Sequence, residues 1–202
     1  MPKNKIQIVW FKRDLRITDH RPIFEASINS IPTLPIYIVE TDYWKQPFAS
    51  KRHWSFIHDS LKDLRKDLKN IGQSLIVRSG SVKKIFEELS HRYNIISILS
   101  HEETGNQWTY DRDKSLQNWC LQNNISFTEF PSNGIVRRLK NRSEWSKIRN
   151  SRMKEKLVST PTNLIPLIGI EEGIIPSKED PVFENNYKGI VQKGGRSEAL
   201  KI

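Results

Sequence analysis

Five short runs rich in Val, Ile and Leu alternate with helix-period segments over residues 5–130, and this alternation constrains the fold more than any other feature. Lys5–Phe11, Thr33–Val39, Ser74–Arg78, Ile95–Leu99 and Ser126–Phe130 read as strands. Nearly continuous apolar strands are buried on both faces, the condition of a parallel sheet. Between them, helices are expected from Asp19, as N-cap, to Asn29, from Ser50 to Gly72, from Ser81 to Tyr93 and from Gln107 to Asn123. The second is the clearest: Trp54, Ile57, Leu61, Leu64, Leu68 and Ile71 recur at steps of three and four. The expected fold is α/β, a doubly wound five-stranded parallel (Rossmann-like) sheet with helices on both faces and a long irregular linker after it.

The first strand ends in a dense alternation of charge, Lys12, Arg13, Asp14 and Arg16. In an open α/β sheet ligands bind beyond the carboxyl ends of the strands, where the strand order reverses. With strand 1 central, that reversal lies between strands 1 and 4. The loop 12–18 then faces Ser100–Asn106, which carries His101, Glu102 and Glu103. Opposed charges across a crevice bind a polar ligand, or they form a structural ion-pair network. Both readings stand at this level.

Several chemistries are excluded by pattern. The chain has no G-x-G-x-x-G, no G-x-x-x-x-G-K-[ST] and no G-x-S-x-G. His53 and His58 are five apart, the wrong spacing for a two-His metal face, and His20, His91 and His101 stand isolated, so neither a metal site nor a catalytic residue set is expected. Of six tryptophans, Trp10, Trp54 and Trp119 fall on core-facing positions. Trp44 and Trp108 sit nearer strand carboxyl ends and are candidates for stacking on a flat ligand. The single cysteine, Cys120, sits among Leu116, Trp119 and Leu121 as a buried thiol and fits a reducing, cytoplasmic setting.

A mean hydropathy of −0.61 and the lack of a long apolar run argue against a membrane partner. The net charge of +10 is concentrated: residues 137–156 hold nine basic side chains against Glu144 and Glu155. This stretch reads as a solvated helix with a charged linker, as a face toward an acidic neighbouring domain, or as a weak, non-specific DNA contact. Ser143–Met153 suggests one more short helix. Residues 156–193, with four prolines and no sustained period, read as an interdomain linker lying over a first domain of residues 1–155. Residues 194–202 look like a glycine turn, a cap at Ser197 and the first turn of a helix that stops before any apolar face is written. The chain therefore reads either as a fragment of a longer protein or as the product of a gene that has lost its remainder.

Trp10–Arg16 with Asp19 closely resembles the opening of the photolyase/cryptochrome family of blue-light flavoproteins. Ser50–Leu64, Thr109–Asp113 with Trp119, Gly134–Leu139 and Gly194–Leu200 resemble later landmarks of that family in the same order. The resemblance implies an N-terminal α/β domain associated with a light-harvesting antenna, a folate or a flavin or deazaflavin. It implies that FAD and light-driven pyrimidine-dimer repair belong to a helical domain absent from this chain, so no tightly bound cofactor is expected here and that domain is the expected partner. On this reading Lys12, Arg13, Asp14, Arg16, Trp44, His101, Glu102, Glu103 and Trp108 are the candidate cofactor-binding residues. Two positions depart from the family pattern. His20 stands where Asn is common, and the Trp108-Thr109 region lacks the Asn-Glu pair of folate-antenna photolyases, which weakens a folate assignment. The different-class alternative is a standalone α/β interaction or nucleic-acid-binding module using residues 137–156.

Overall fold

The computed structural model describes residues 3–131, 134–183 and 192–201. Strands β1 (Lys5–Phe11), β2 (Thr33–Val39), β3 (Ile76–Ser79), β4 (Asn94–His101) and β5 (Ser126–Phe130) form one parallel sheet in the order β3-β2-β1-β4-β5. Helices α1 (Arg21–Ile28) and α3 (Lys51–Asn70) cover one face, and α4 (Val82–Arg92) and α5 (Gln107–Gln122) the other. Alternation along β1 divides the core accordingly: Ile6, Ile8 and Trp10 pack with α4 and α5, whereas Val9 and Phe11 pack with α1 and α3. Burial of both faces explains the apolar strands. Pro35, inside β2, stands one residue before the first β2–β3 pair (Ile36 with Ile76), where its missing N–H breaks no ladder bond on that side.

Local chemistry sets the helix ends. Ser50 caps α3 by accepting from the His53 N–H, and Gly72, at φ +97°, ends the turn after it. The N-cap of α1 is His20 rather than Asp19: its Nδ1 accepts from the Ile23 N–H. Asp19 adopts φ +48° and instead accepts from the Val158 N–H, tying the later chain to this turn. A four-residue helix, α2 (Thr41–Trp44), follows β2 without a sequence signal. Trp10, Trp54 and Trp119 are buried, as is Cys120, whose thiol burial pushes up to about 12.

The proline-rich segment runs over the domain, as its composition predicts, but it also enters the core. Leu164, Leu167 and Phe183 are buried, and the Thr33 N–H donates to the Ile165 carbonyl. Next to edge strand β3, the Val77 N–H donates to the Glu172 carbonyl, so the strap takes up a donor that would otherwise face solvent. Gly173 permits this approach: it adopts φ +74°, and a Cβ there would lie 2.1 Å from the Val77 carbonyl oxygen. Gly189 of the same segment lies outside the described residues. Residues 145–153 form α6, and 196–199 a last short turn, α7. Gly195, not Ser197, is the N-cap of α7; Ser197 donates through its N–H and hydroxyl to Asp63 of α3. Among the described residues no helix is long and apolar enough to cross a membrane.

Candidate functional site: a cationic, aromatic cleft beside the first strand

Beyond β1, Lys12 and Arg13 keep the strand's alternation before the chain turns at Asp14, and this separates their roles. Lys12 continues the Trp10 face. Its Nζ is buried and lies 3.2 Å from both Asp113 of α5 and Glu129 of β5. Arg13 turns the other way: exposed, it donates to Glu103 at 2.7 Å and reaches the Tyr43 hydroxyl at 3.4 Å. Arg16 clasps the turn that follows, donating to the Thr18 and Asp19 carbonyls.

Asp14 turns inward again. Its Oδ2 lies 2.6 Å from His20 Nε2 and 2.6 Å from His101 Nδ1, and its Oδ1 accepts from the Lys12 N–H. His20 and His101, isolated in sequence, are therefore edge-to-face neighbours with ring centroids 4.5 Å apart. Burial alone would raise the Asp14 carboxyl, but the two imidazoles outweigh it and hold the group well below the usual carboxylate range. Burial lowers His20, while the Asp14 carboxylate beside it pulls the other way. Three metal-type ligand atoms lie within 4.8 Å of one another here, yet the tautomer opposes a metal. His20 Nδ1 accepts the helix N–H, so Nε2 carries the proton and offers no lone pair. The cluster ties the β1 loop, the start of α1 and the end of β4 together.

A second knot lies on the α5 side. Arg112 pairs with Glu40 at 2.6 Å, Glu103 at 2.5 Å and Asp113 at 2.8 Å. Both its guanidinium and the Lys12 ammonium lie over the Trp10 ring, 4.8 and 4.6 Å from its centroid. Burial pushes Glu40 up to about 7 despite the arginine beside it, while the carboxylates raise Arg112 against its own burial. These pairs occupy the space between the β1 and β4 loops. Lys12, Asp14, His101, Glu102 and Glu103 line only a hollow of about 130 Å³ there.

The large opening lies on the α3 side, a cleft of about 820 Å³. Arg13 and Arg16 come from the β1 loop, Tyr43 and Trp44 from α2, Phe48 from the loop after it, and Arg52, His53, Phe56, Ile57 and Ser60 from one stripe of α3. Gly195, Arg196 and Ala199 form another wall, and Leu15, Gly105, Asn106 and Gln192 complete the described lining. Among the described residues the lining holds four arginines and a histidine and no carboxylate. The Arg196 Nε is buried without a hydrogen-bond partner. Phe48 and Phe56 are 40% and 42% exposed, unusual for such side chains unless something covers them. Such a lining suits a flat, anionic molecule.

Residues 7–150 match the family model described as DNA photolyase. The chain belongs to the DNA photolyase family. A cryptochrome DASH of Xenopus laevis is 25% identical over 228 residues, covering 98% of this chain and 42% of that protein. The crystal structure of a Synechocystis sp. cryptochrome superposes with a TM-score of 0.78 at 19% identity, over all of this chain and 46% of that one. A photolyase from Sulfolobus tokodaii, described with two FAD molecules and a novel light-harvesting cofactor, gives 0.73 at 21% identity, over 96% and 45%. The chain thus spans less than half the length of these relatives. Its sheet is the family's N-terminal α/β domain.

Within this photolyase-family domain the candidate residues separate into groups. Arg13, Arg16 and Trp44 line the large cleft. Lys12, Asp14, His101, Glu102 and Glu103 surround the small hollow. Trp108 lines a third, of about 310 Å³, beside Glu40 and Arg112, and meets Tyr43 edge-on at 5.6 Å. Sequence reasoning missed Tyr43, Phe48, Arg52, His53, Phe56 and Arg196. A signal existed for α3: Arg52, Phe56 and Ser60 lie off the apolar stripe that Leu61, Leu64 and Leu68 define, so Phe56 is an aromatic on a polar face.

Proposed function

We propose that this domain holds a planar, anionic light-harvesting chromophore of the flavin or deazaflavin kind in the α3-side cleft. It acts beside a FAD-binding helical domain that performs the photochemistry of the family, pyrimidine-dimer repair or light signalling. The cleft itself carries the reading: among the described residues it has aromatic walls, four arginines, no acid, and a buried guanidinium Nε lacking a partner. Tyr43, Trp44, Phe48 and Phe56 would take the ring system, and Arg16, Arg52 and Arg196 the anionic part, charge-assisted. When bound, the chromophore would absorb blue light and pass the excitation on. The domain's residues hold the ring in one orientation and shield it from water. The cofactor described for the Sulfolobus tokodaii photolyase supports a flavin over a folate.

Thermal unfolding of the chain with FMN, riboflavin, a deazaflavin or folate tests this. Ligand at a hundred times its Kd stabilises the folded state by about 2.7 kcal/mol, which raises Tm by about 5–10 °C for a chain of this size. Arg52→Glu abolishes the shift. An unchanged Tm with all four ligands would overturn the proposal.

A further inference from the structure

We propose that the cationic excursion at residues 134–156 binds single-stranded nucleic acid, through its phosphates and through Trp145 as a stacking platform. This surface is separate from the chromophore cleft and does not rest on that reading. α6 contributes no buried residue to either core cluster. Nine residues are too few for a helix to persist alone in water. It is held by two tethers to the loop before it: Trp145 Nε1 donates to the Gly134 carbonyl and Arg152 to the Ile135 carbonyl. The domain therefore presents a helix that its own core does not use.

What it presents is charge. Arg138, Lys140, Arg142, Lys147, Arg149, Lys154 and Lys156 are exposed, and none of the seven enters an ion pair among the described residues, whereas Arg137 pairs with Glu129. These cations point around α6 and its flanks and not along one stripe, so the helix has no apolar face for a bilayer or a helix-binding groove. A phosphate chain needs only distributed cations and a flat ring. Trp145 supplies the ring: its Nε1–H is tethered, and the side chain is 43% exposed between Arg142 and Lys147. Aromatic rings among cations are how single strands are held without sequence preference.

Fluorescence anisotropy of a labelled mixed-sequence single strand, titrated with the whole chain across a salt series, tests this. Seven phosphate contacts predict a slope of log K on log salt of about −5, at about −0.7 per contact. Lys147→Glu with Arg149→Glu should lower affinity and flatten the slope by about 1.4. The same reversal at Lys66 and Lys84, elsewhere on the surface, should leave the slope unchanged. Trp145→Ala should cost about fivefold or more, and Trp145→Phe, which keeps a ring but loses the Gly134 hydrogen bond, should restore most of it. Four outcomes would overturn the proposal: no binding at low salt, equal weakening by the Lys66/Lys84 reversal, tighter binding to duplex, or equal binding to polyglutamate or anionic vesicles.

Discussion

Neighbouring residues of the β1 loop do opposite jobs: the strand's alternation carries Lys12 inward and Arg13 outward, and a tight turn after Asp14 brings Arg16 out as well. Lys12 and Asp14 are buried and hydrogen-bonded, whereas Arg13 and Arg16 reach the cleft. The alternation was legible in the sequence; the partners were not. His101 lies 87 positions from Asp14. Only the β1–β4 register, with Val9 level with Leu99, carries it to the same height as the end of β1. Glu40 offers a sharper test at this scale. Folded, it keeps its proton to about pH 7; unfolded, it loses it near 4.5. The folded state binds the extra proton between those values, so the stability tied to Glu40 falls as pH rises through that window. Glu40→Gln removes the buried charge and leaves Arg112 paired with Glu103 and Asp113. The variant should match the parent near pH 4.5 and exceed it by about 3 kcal/mol at pH 8, measured by denaturant unfolding. A gap that does not change with pH would contradict this.

Among the elements, the strap after residue 156 departs furthest from its appearance in sequence. Four prolines and missing periodicity indicate a segment without long helices or strands, and none occurs among its described residues. They conceal that it completes the α3 side of the core. Phe183 stacks on Trp54 at 4.0 Å with 9° between the planes, and the Trp54 indole donates to the Ser177 carbonyl. Isolated apolar residues spaced by prolines have no period, so nothing local distinguishes Phe183, 3% exposed, from Ile174, 86% exposed. Phe183→Ala should destabilise the domain by about 3–5 kcal/mol, lowering Tm by about 10 °C in calorimetry. An unchanged Tm would show that the strap is dispensable to the core. The five strands were far more legible, because two-sided burial leaves an unbroken apolar run.

At the scale of the whole molecule the chain presents two cationic features with different chemistry. One is concave and walled by aromatics; the other is a projecting helix among solvated charges. The sheet order, with β1 central and the reversal between β1 and β4, follows from topology and was legible in advance. The side of the sheet on which the cleft opens was not, because it depends on which loop charges pair with one another and fill the space between β1 and β4. The central claim is that a chromophore lies against Trp44 on the α3 side. The indole N–H resonances of the six tryptophans, followed by nuclear magnetic resonance during titration with FMN, test it most directly. The account predicts a saturable shift at Trp44, a smaller one at its neighbour Trp54, and none at Trp119 or Trp145. Shifts centred on Trp108 or Trp145, or no shift at Trp44 at saturation, would contradict it.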